Sequence, residues 1–330
     1  MVCYLDWDVG PEPQALPIYV NMTKKGSDLI LDFEAPGPSQ SYYNCYLPGA
    51  FGLVYVAVAS QLFWETPGNW GYIRPIKAYF PKGSTLNVPY LSPVGLCAAW
   101  PVTEAVTAVI ARMYYTNEEH WDDINSPWHR QCVAGVFWGG LTQYGYPSGS
   151  MFSEAWCVGT GCGIDEGRGD GCDTGGMMMT VESSISDVEM MELGSPFVYL
   201  WRREAKDTSG AGRWRGGTGC TYATLPHNSW YVGQGFAAMG VFLDPTQSLD
   251  GAYPPARECD AIIARNLNME EAFAKSYVPM SNDELIKMAE ESGCSVEVIE
   301  YPRPFTPITP EKDVVVSFFG GAKGIGDPLD

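Results

Sequence analysis

The stretch Lys206-Asp-Thr-Ser-Gly-Ala-Gly-Arg-Trp-Arg-Gly-Gly-Thr-Gly219 decides how the chain is read. It closes a longer segment, Gly135 to Cys220, in which about one residue in four or five is glycine, mixed with Trp, Tyr and Met. No apolar period of 2 or 3.6 runs through that segment, so neither an amphipathic strand nor an amphipathic helix explains it. A structureless loop of such length does not belong in a compact domain. Two readings remain. The segment is flexible and partly ordered, or it is extended, polyproline-II-like backbone in close packing, where glycine lets neighbouring segments approach. Its Trp, Phe and Met residues favour packing, because disordered tracts are poor in them.

Outward from this segment the signals become regular. Asp28-Leu-Ile-Leu-Asp-Phe33 alternates like a strand after the turn signal Lys24-Lys25-Gly26. Gly52 to Trp64 is apolar almost all round and reads as a buried helix or two strands. Ile73 to Phe80 reads as a strand stopped by Pro81-Lys-Gly-Ser84. Thr103 to Tyr115 reads as a helix with Thr103 as N-cap and Val106, Val109, Ile110 and Met113 on one face. Near the C-terminus, Ser281-Asn-Asp-Glu284 is a capping box opening a helix over Asp283 to Ser292, closed by Gly293. Cys294 to Glu300 and Asp313 to Phe319 read as strands. The expected organisation is a β-rich region with one helix over 1–134, the glycine-rich segment over 135–220 and an α+β region over 221–330, all in one integrated domain.

Composition narrows the class of function. The 330 residues can bury a sizeable core, and with 45% hydrophobic and 18% charged residues the chain is not of disordered type. A formal charge of −19 argues against nucleic acid or anionic membrane as partner. No signal-peptide pattern opens the chain, so a cytoplasmic protein with reduced thiols is expected. The 11 Trp residues suit either subunit interfaces or an aromatic-rich core.

Familiar catalytic signatures are absent. Gly210-Ala-Gly-Arg-Trp-Arg-Gly-Gly217 lacks the Walker A spacing, and neither a GxSxG elbow nor an HExxH motif occurs. Cys157, Cys162 and Cys172 have no paired spacing and no nearby His, so ordinary thiols are expected there rather than zinc. His120 and His129, each beside a Trp in a polar stretch, read as solvated or structural.

Several motifs together resemble the hydantoinase B family, which includes the large subunits of acetone and acetophenone carboxylases. The family's acidic E-x-x-E-x-x-x-P segment is matched by Glu189, Glu192 and Pro196. Its D-S-G-G-A-G-R-x-R-G-G-x-G segment is matched by Asp207, Ser209, Gly210, Gly212, Arg213, Arg215, Gly216, Gly217 and Gly219, with Thr208 as an inserted-looking departure. Pro81-Lys-Gly-Ser-Thr-Leu-Asn-Val-Pro89, which contains Asn87, resembles its P-x-G-S-x-x-N-P turn. Gly169-Asp-Gly171 and the run from Gly320-Gly to Gly326-Asp-Pro328 resemble its remaining glycine loops, in family order.

The resemblance implies a mixed α+β fold, with two β-sheets in a barrel-like arrangement and a glycine-rich bundle of polyproline-II-like segments. It implies a subunit of an ATP-dependent ketone carboxylase, which forms a C–C bond to a bicarbonate-derived carboxyl group. The alternatives are a subunit of an ATP-dependent hydantoinase or oxoprolinase, and a non-catalytic scaffold. Asp207, Arg213, Arg215, Glu189 and Glu192 are the candidate catalytic residues. Ser209, Gly210, Gly212, Gly216, Gly217 and Asn87 are the candidates for substrate binding. Arg213 and Arg215, in a glycine setting, could meet developing oxyanions with guanidinium forks and backbone N–H groups. Equally, Asp207 and the arginines could hold the glycine turns by buried salt bridges. Glu189 and Glu192 stand i, i+3, as a solvated face or a base. The family's His/Asp metal motifs have no counterpart before Asp28. A divalent metal (Zn or Mn) and ATP-Mg are therefore expected on partner chains: the metal-bearing N-terminal half of a hydantoinase B subunit and hydantoinase-A-like ATP-binding subunits, with ketone and bicarbonate as substrates.

Overall fold

The computed structural model describes residues 1–7, 14–39, 43–63, 65–95, 99–123, 135–151, 169–171, 173, 186–229, 232–237, 249–255, 260–300, 307–308, 312–319, 321 and 324–329. Cys157, Cys162, Cys172, His129 and residues 152–168 and 174–185 of the glycine-rich segment expected to form a polyproline-II-like bundle lie outside these residues.

Strands β1 (Val2–Trp7), β2 (Gln14–Lys25) and β3 (Asp28–Glu34) form an antiparallel meander, and β4 (Ile76–Tyr79) adds to β3 in parallel. Gly26, at φ +61°, makes the β2–β3 turn. Ile18, Val20, Leu31, Phe33 and Ile76 are buried from one face of this sheet. On that face lie α1 (Leu47–Leu62) and α2 (Ala99–Tyr115), which supply Val54, Ala57 and Val58, and Val102, Val106 and Ile110. The region expected to hold one helix thus holds two, and the apolar run after Gly52 resolves as a helix. Thr103 is not an N-cap. It is buried inside α2, which starts at Ala99 and carries Pro101 in its first turn, where the missing N–H leaves no bond unmade.

A second, five-stranded antiparallel sheet has the order β11 (Val296–Glu300), β10 (Asp260–Ala264), β13 (Val314–Phe319), β8 (Gly219–Pro226), β7 (Phe197–Ala205). Helices α4 (Met269–Ala274) and α5 (Asn282–Glu291) cover one face through Met269, Leu285 and Ala289. The third sheet, β12 (Pro307–Ile308), β9 (Val232–Ala237), β5 (Gly135–Leu141), β6 (Pro147–Met151), is tied to the second by Trp138 edge-on against Phe197, at 5.8 Å between ring centroids. The mixed α/β class is as expected, but the barrel-like pair of sheets is not. The described strands form three open sheets, with β1, β4, β7, β11, β6 and β12 left as edges. Helices on one face of the first two sheets shield the core that barrel closure would otherwise shield.

Candidate functional site

The motif-bearing residues lie in the connection between β7 and β8. Lys206 and Asp207 turn the chain out of β7, with Asp207 at φ +56°. Thr208 pins both ends of the connection. Its hydroxyl donates to the Ala205 carbonyl at 2.8 Å and accepts from the Gly219 N–H at 2.7 Å. The departure from the family motif is therefore a buried hydrogen-bonding post.

Beyond Thr208 the loop is interlaced with Gly321 and the distant residues 324–327. The Trp214 N–H donates to the Ile325 carbonyl at 3.2 Å and the Ile325 N–H returns a bond to Trp214 at 3.1 Å. Gly321 donates to Thr208, Arg213 to Gly326, and Gly216 to Gly210 within the loop. A third strand of contacts comes from Leu249, which accepts from Gly326, and from Tyr253, which donates to Ala211. Glycine is dictated here by space. A Cβ at Gly212 would stand 2.8 Å from the Ile325 oxygen, and one at Gly321 2.6 Å from the Gly217 oxygen. Ala108 and Ala111 of α2, with Leu249 and Ile325, seal this glycine knot to the first sheet's helices.

The two arginines of the motif differ in environment. Arg215 is engaged within the fold. Its Nη1 donates to Asp173 Oδ1 and to the Gly216 carbonyl, each at 2.9 Å; its Nε stands 3.5 Å from Asp170, and its backbone N–H donates to the same carboxylate at 2.9 Å. Asp173 also accepts from the Thr218 N–H at 3.1 Å. Burial works against the Asp173 carboxylate, but the hydrogen bonds and charge of Arg215 and the Thr218 amide outweigh it and hold its pKa below the usual value. The same hydrogen bond raises the pKa of Arg215. Arg213 points outward and is exposed. Its guanidinium lies over Trp121 at 4.6 Å and Trp214 at 5.0 Å, a cation–π pair of contacts that fixes its direction. Tyr115 stacks on Trp121, whose indole N–H donates to the Tyr115 carbonyl at 2.9 Å.

The other predicted residues are dispersed. Asp207 is exposed on its turn, while Ser209, Gly210, Gly216 and Gly217 belong to the knot. Glu189 and Glu192 lie on α3 (Val188–Gly194), capped by Asp187. Glu189 is exposed, and Glu192 accepts from the Tyr199 N–H at 2.8 Å, which ties α3 to β7. Asn87 makes local bonds in the turn after β4, donating to the Phe80 carbonyl at 3.3 Å and accepting from the Gly83 N–H at 3.0 Å. The structure adds residues that the sequence reading passed over: Asp173, Trp121, Trp214 and Tyr115. Asp170 sat in a quoted glycine motif, but nothing in the sequence paired it with Arg215. Among the described residues, no three His, Cys, Asp or Glu side chains gather where they could hold a metal ion, so the divalent metal implied by the resemblance finds no fit there.

Comparison with known proteins turns on this same region and its surroundings. The sequence profile described as Hydantoinase B/oxoprolinase matches residues 2–298. The chain belongs to the hydantoinase B/oxoprolinase family. It is 26% identical over 322 residues to the acetophenone carboxylase delta subunit of Aromatoleum aromaticum, covering 94% of this chain and 46% of that one. To the acetone carboxylase alpha subunit of Xanthobacter autotrophicus it is 24% identical over 318 residues, covering 91% and 39%. In structure it is similar to nucleotide-free acetone carboxylase, with a TM-score of 0.86 at 22% identity over 100% of this chain and 45% of that one. It is also similar to the ATP-dependent caprolactamase of Pseudomonas jessenii, with a TM-score of 0.67 at 17% identity over 100% and 52%. The chain thus spans less than half of the length of these curated relatives and about half of the two solved structures, and the structural likenesses establish the fold.

Proposed function

We propose that the chain is part of an ATP-dependent ketone carboxylase and that its glycine knot forms a rigid wall of that enzyme's reaction chamber. The observation that carries this reading is the match, over more than nine-tenths of the chain, to subunits of an acetophenone and an acetone carboxylase. ATP would serve to activate the ketone as an enol phosphate and bicarbonate as a carboxyphosphate. Water would take the phosphoryl group of the enol phosphate as inorganic phosphate, and the enolate carbon so freed would attack the carboxyl carbon of the carboxyphosphate, whose phosphate leaves as the C–C bond forms. Negative charge moves between oxygens in that step and favours preorganised donors. Of the two arginines, Arg213 is the one presented outward, with its direction held by two indoles. Arg215 would act by keeping the backbone beneath it in shape. The nucleotide and the metal belong, in this reading, to partner polypeptides: hydantoinase-A-like subunits and the remaining half of a hydantoinase B subunit.

A second reading has an observation of its own. The structural likeness to caprolactamase favours an ATP-dependent amide hydrolase. One assay separates the two. The whole assembly is given ATP and either a methyl ketone with labelled bicarbonate or a lactam or hydantoin. Acid-stable label that appears only with ketone supports carboxylation. Ring opening without fixed label sinks it in favour of hydrolysis.

A further inference from the structure

Helix α1 contains no charged residue, and the uncharged run extends from Ala35 to Trp64 in a chain of formal charge −19. A helix that is apolar on every side belongs in a protein interior or in a membrane. With 16 residues, α1 is shorter than the roughly 20 that a membrane span needs, and no helix among the described residues is long and apolar enough to cross a membrane. One side of α1 is accounted for: Ala50, Val54, Ala57, Val58 and Gln61 are buried. The other side is not. Gly52, Val56, Ala59 and Ser60 follow one another at helical spacing and are only half-buried, and Leu47 at the helix start is 45% exposed.

The two glycines inside the helix make the contrast sharper. A Cβ at Gly49 would lie 2.8 Å from the Cys45 sulfur, so this chain itself offers a neighbour that favours glycine there. A Cβ at Gly52 would meet nothing within 4 Å among the described residues. Mid-helix glycine is unfavourable for backbone entropy, and nothing among the described residues requires it at position 52. A second backbone passing close over the helix would.

We infer that the Gly52–Val56–Ala59–Ser60 face of α1 is the seat of an apolar segment from the portion of a hydantoinase B subunit that this chain does not cover. The inference rests on the reading that the chain works in a family-sized assembly. It commits to this occupant because the relatives carry more than half of their length outside the match, at 46% and 39% coverage. That polypeptide has to be packed somewhere, and an uncharged face can be sealed against it without burying unpaired charge.

The test places a benzophenone amino acid at position 56 in place of Val56, in the native host, and irradiates the purified assembly. The expected product joins position 56 to a peptide from the uncovered part of the hydantoinase B sequence, on the same polypeptide or another. A cross-link to a second copy of this chain, to an ATP-binding subunit, or to nothing overturns the inference. As a second arm, Gly52→Leu and Ala59→Glu should leave the circular dichroism and Tm of the isolated chain close to the parent and cut co-purification of that portion at least tenfold. Undiminished co-purification with both variants overturns it as well. Label fixation by the same assembly is scored separately. An assembly that fixes bicarbonate but lacks the cross-link sinks only the docking face. One that cross-links but opens a lactam keeps the face and sinks the ketone reading.

Discussion

An added methyl at Gly324 would lie 2.9 Å from the carbonyl oxygens of Gly210 and Trp214 and 3.0 Å from the Gly212 nitrogen. All three neighbours are backbone, so none can move aside as a side-chain tip would. Gly324→Ala is expected to destabilise the chain by about 1–3 kcal/mol, the usual range for overpacking, read from the urea midpoint. Two carboxylates should respond to pH in opposite senses. Asp173 has its pKa lowered, so its contribution is complete above the unfolded carboxylate value of about 3.9 and is lost as pH falls through the lower folded value. Asp173→Asn should flatten the acid limb of the stability curve and lower stability at pH 7. Asp250, at φ +50°, has its pKa raised, by burial first, against the attraction of Arg112 3.4 Å away. Its folded form holds the proton more tightly, so its contribution grows as pH falls through the raised value. Asp250→Asn, which tolerates the same left-handed backbone, should leave stability at pH 7 equal or higher. A drop there would contradict the assignment.

At the scale of the element, legibility followed locality. Half of the capping box of α5 is present: Ser281 accepts from the Glu284 N–H at 3.2 Å, while Glu284 reaches one residue past the cap, to the Met280 N–H at 2.7 Å. Gly293 closes the helix at φ +68°. A cap is a property of four neighbouring residues, so the sequence shows it. α5 also presents a buried stripe, and Leu285→Ala, at a fully buried site in the core cluster that includes Met269 and Val316, should cost about 2–5 kcal/mol in thermal or urea unfolding. Helix α2 was less legible at its start. Thr103 has the chemistry of a cap, but Pro101 two residues earlier is a first-turn residue and not a stop. Helix α1 offered no period because both of its sides are apolar, so helix and strand could not be told apart. In β7, Leu200 and Trp201 are both buried because the register shifts between Tyr199 and Trp201. Alternation alone forbids that pattern.

Across the whole molecule, the glycine knot joins Thr208–Trp214 to Gly321, to residues 324–326 and to Leu249–Tyr253, which lie far apart in sequence. Glycine content announced close packing in this region, but no local rule names the partner of a backbone bond made a hundred residues away. Arg215 shows the same limit. Its charge was visible, but its partners Asp170 and Asp173 became known only when the fold brought them together. The barrel expectation failed for a related reason, since strand count does not determine whether helices or further strands cover a sheet face. What remains to function is the surface that the knot holds outward, and Arg213 between two indoles is its most directed cation. The measurement that tests this most directly is the initial rate of ATP- and ketone-dependent fixation of labelled bicarbonate by the assembled complex carrying Arg213→Gln. A fall of about 100-fold or more, the scale for removing a preorganised donor, with subunit composition unchanged, is the predicted result. A rate equal to that of the parent complex would contradict it.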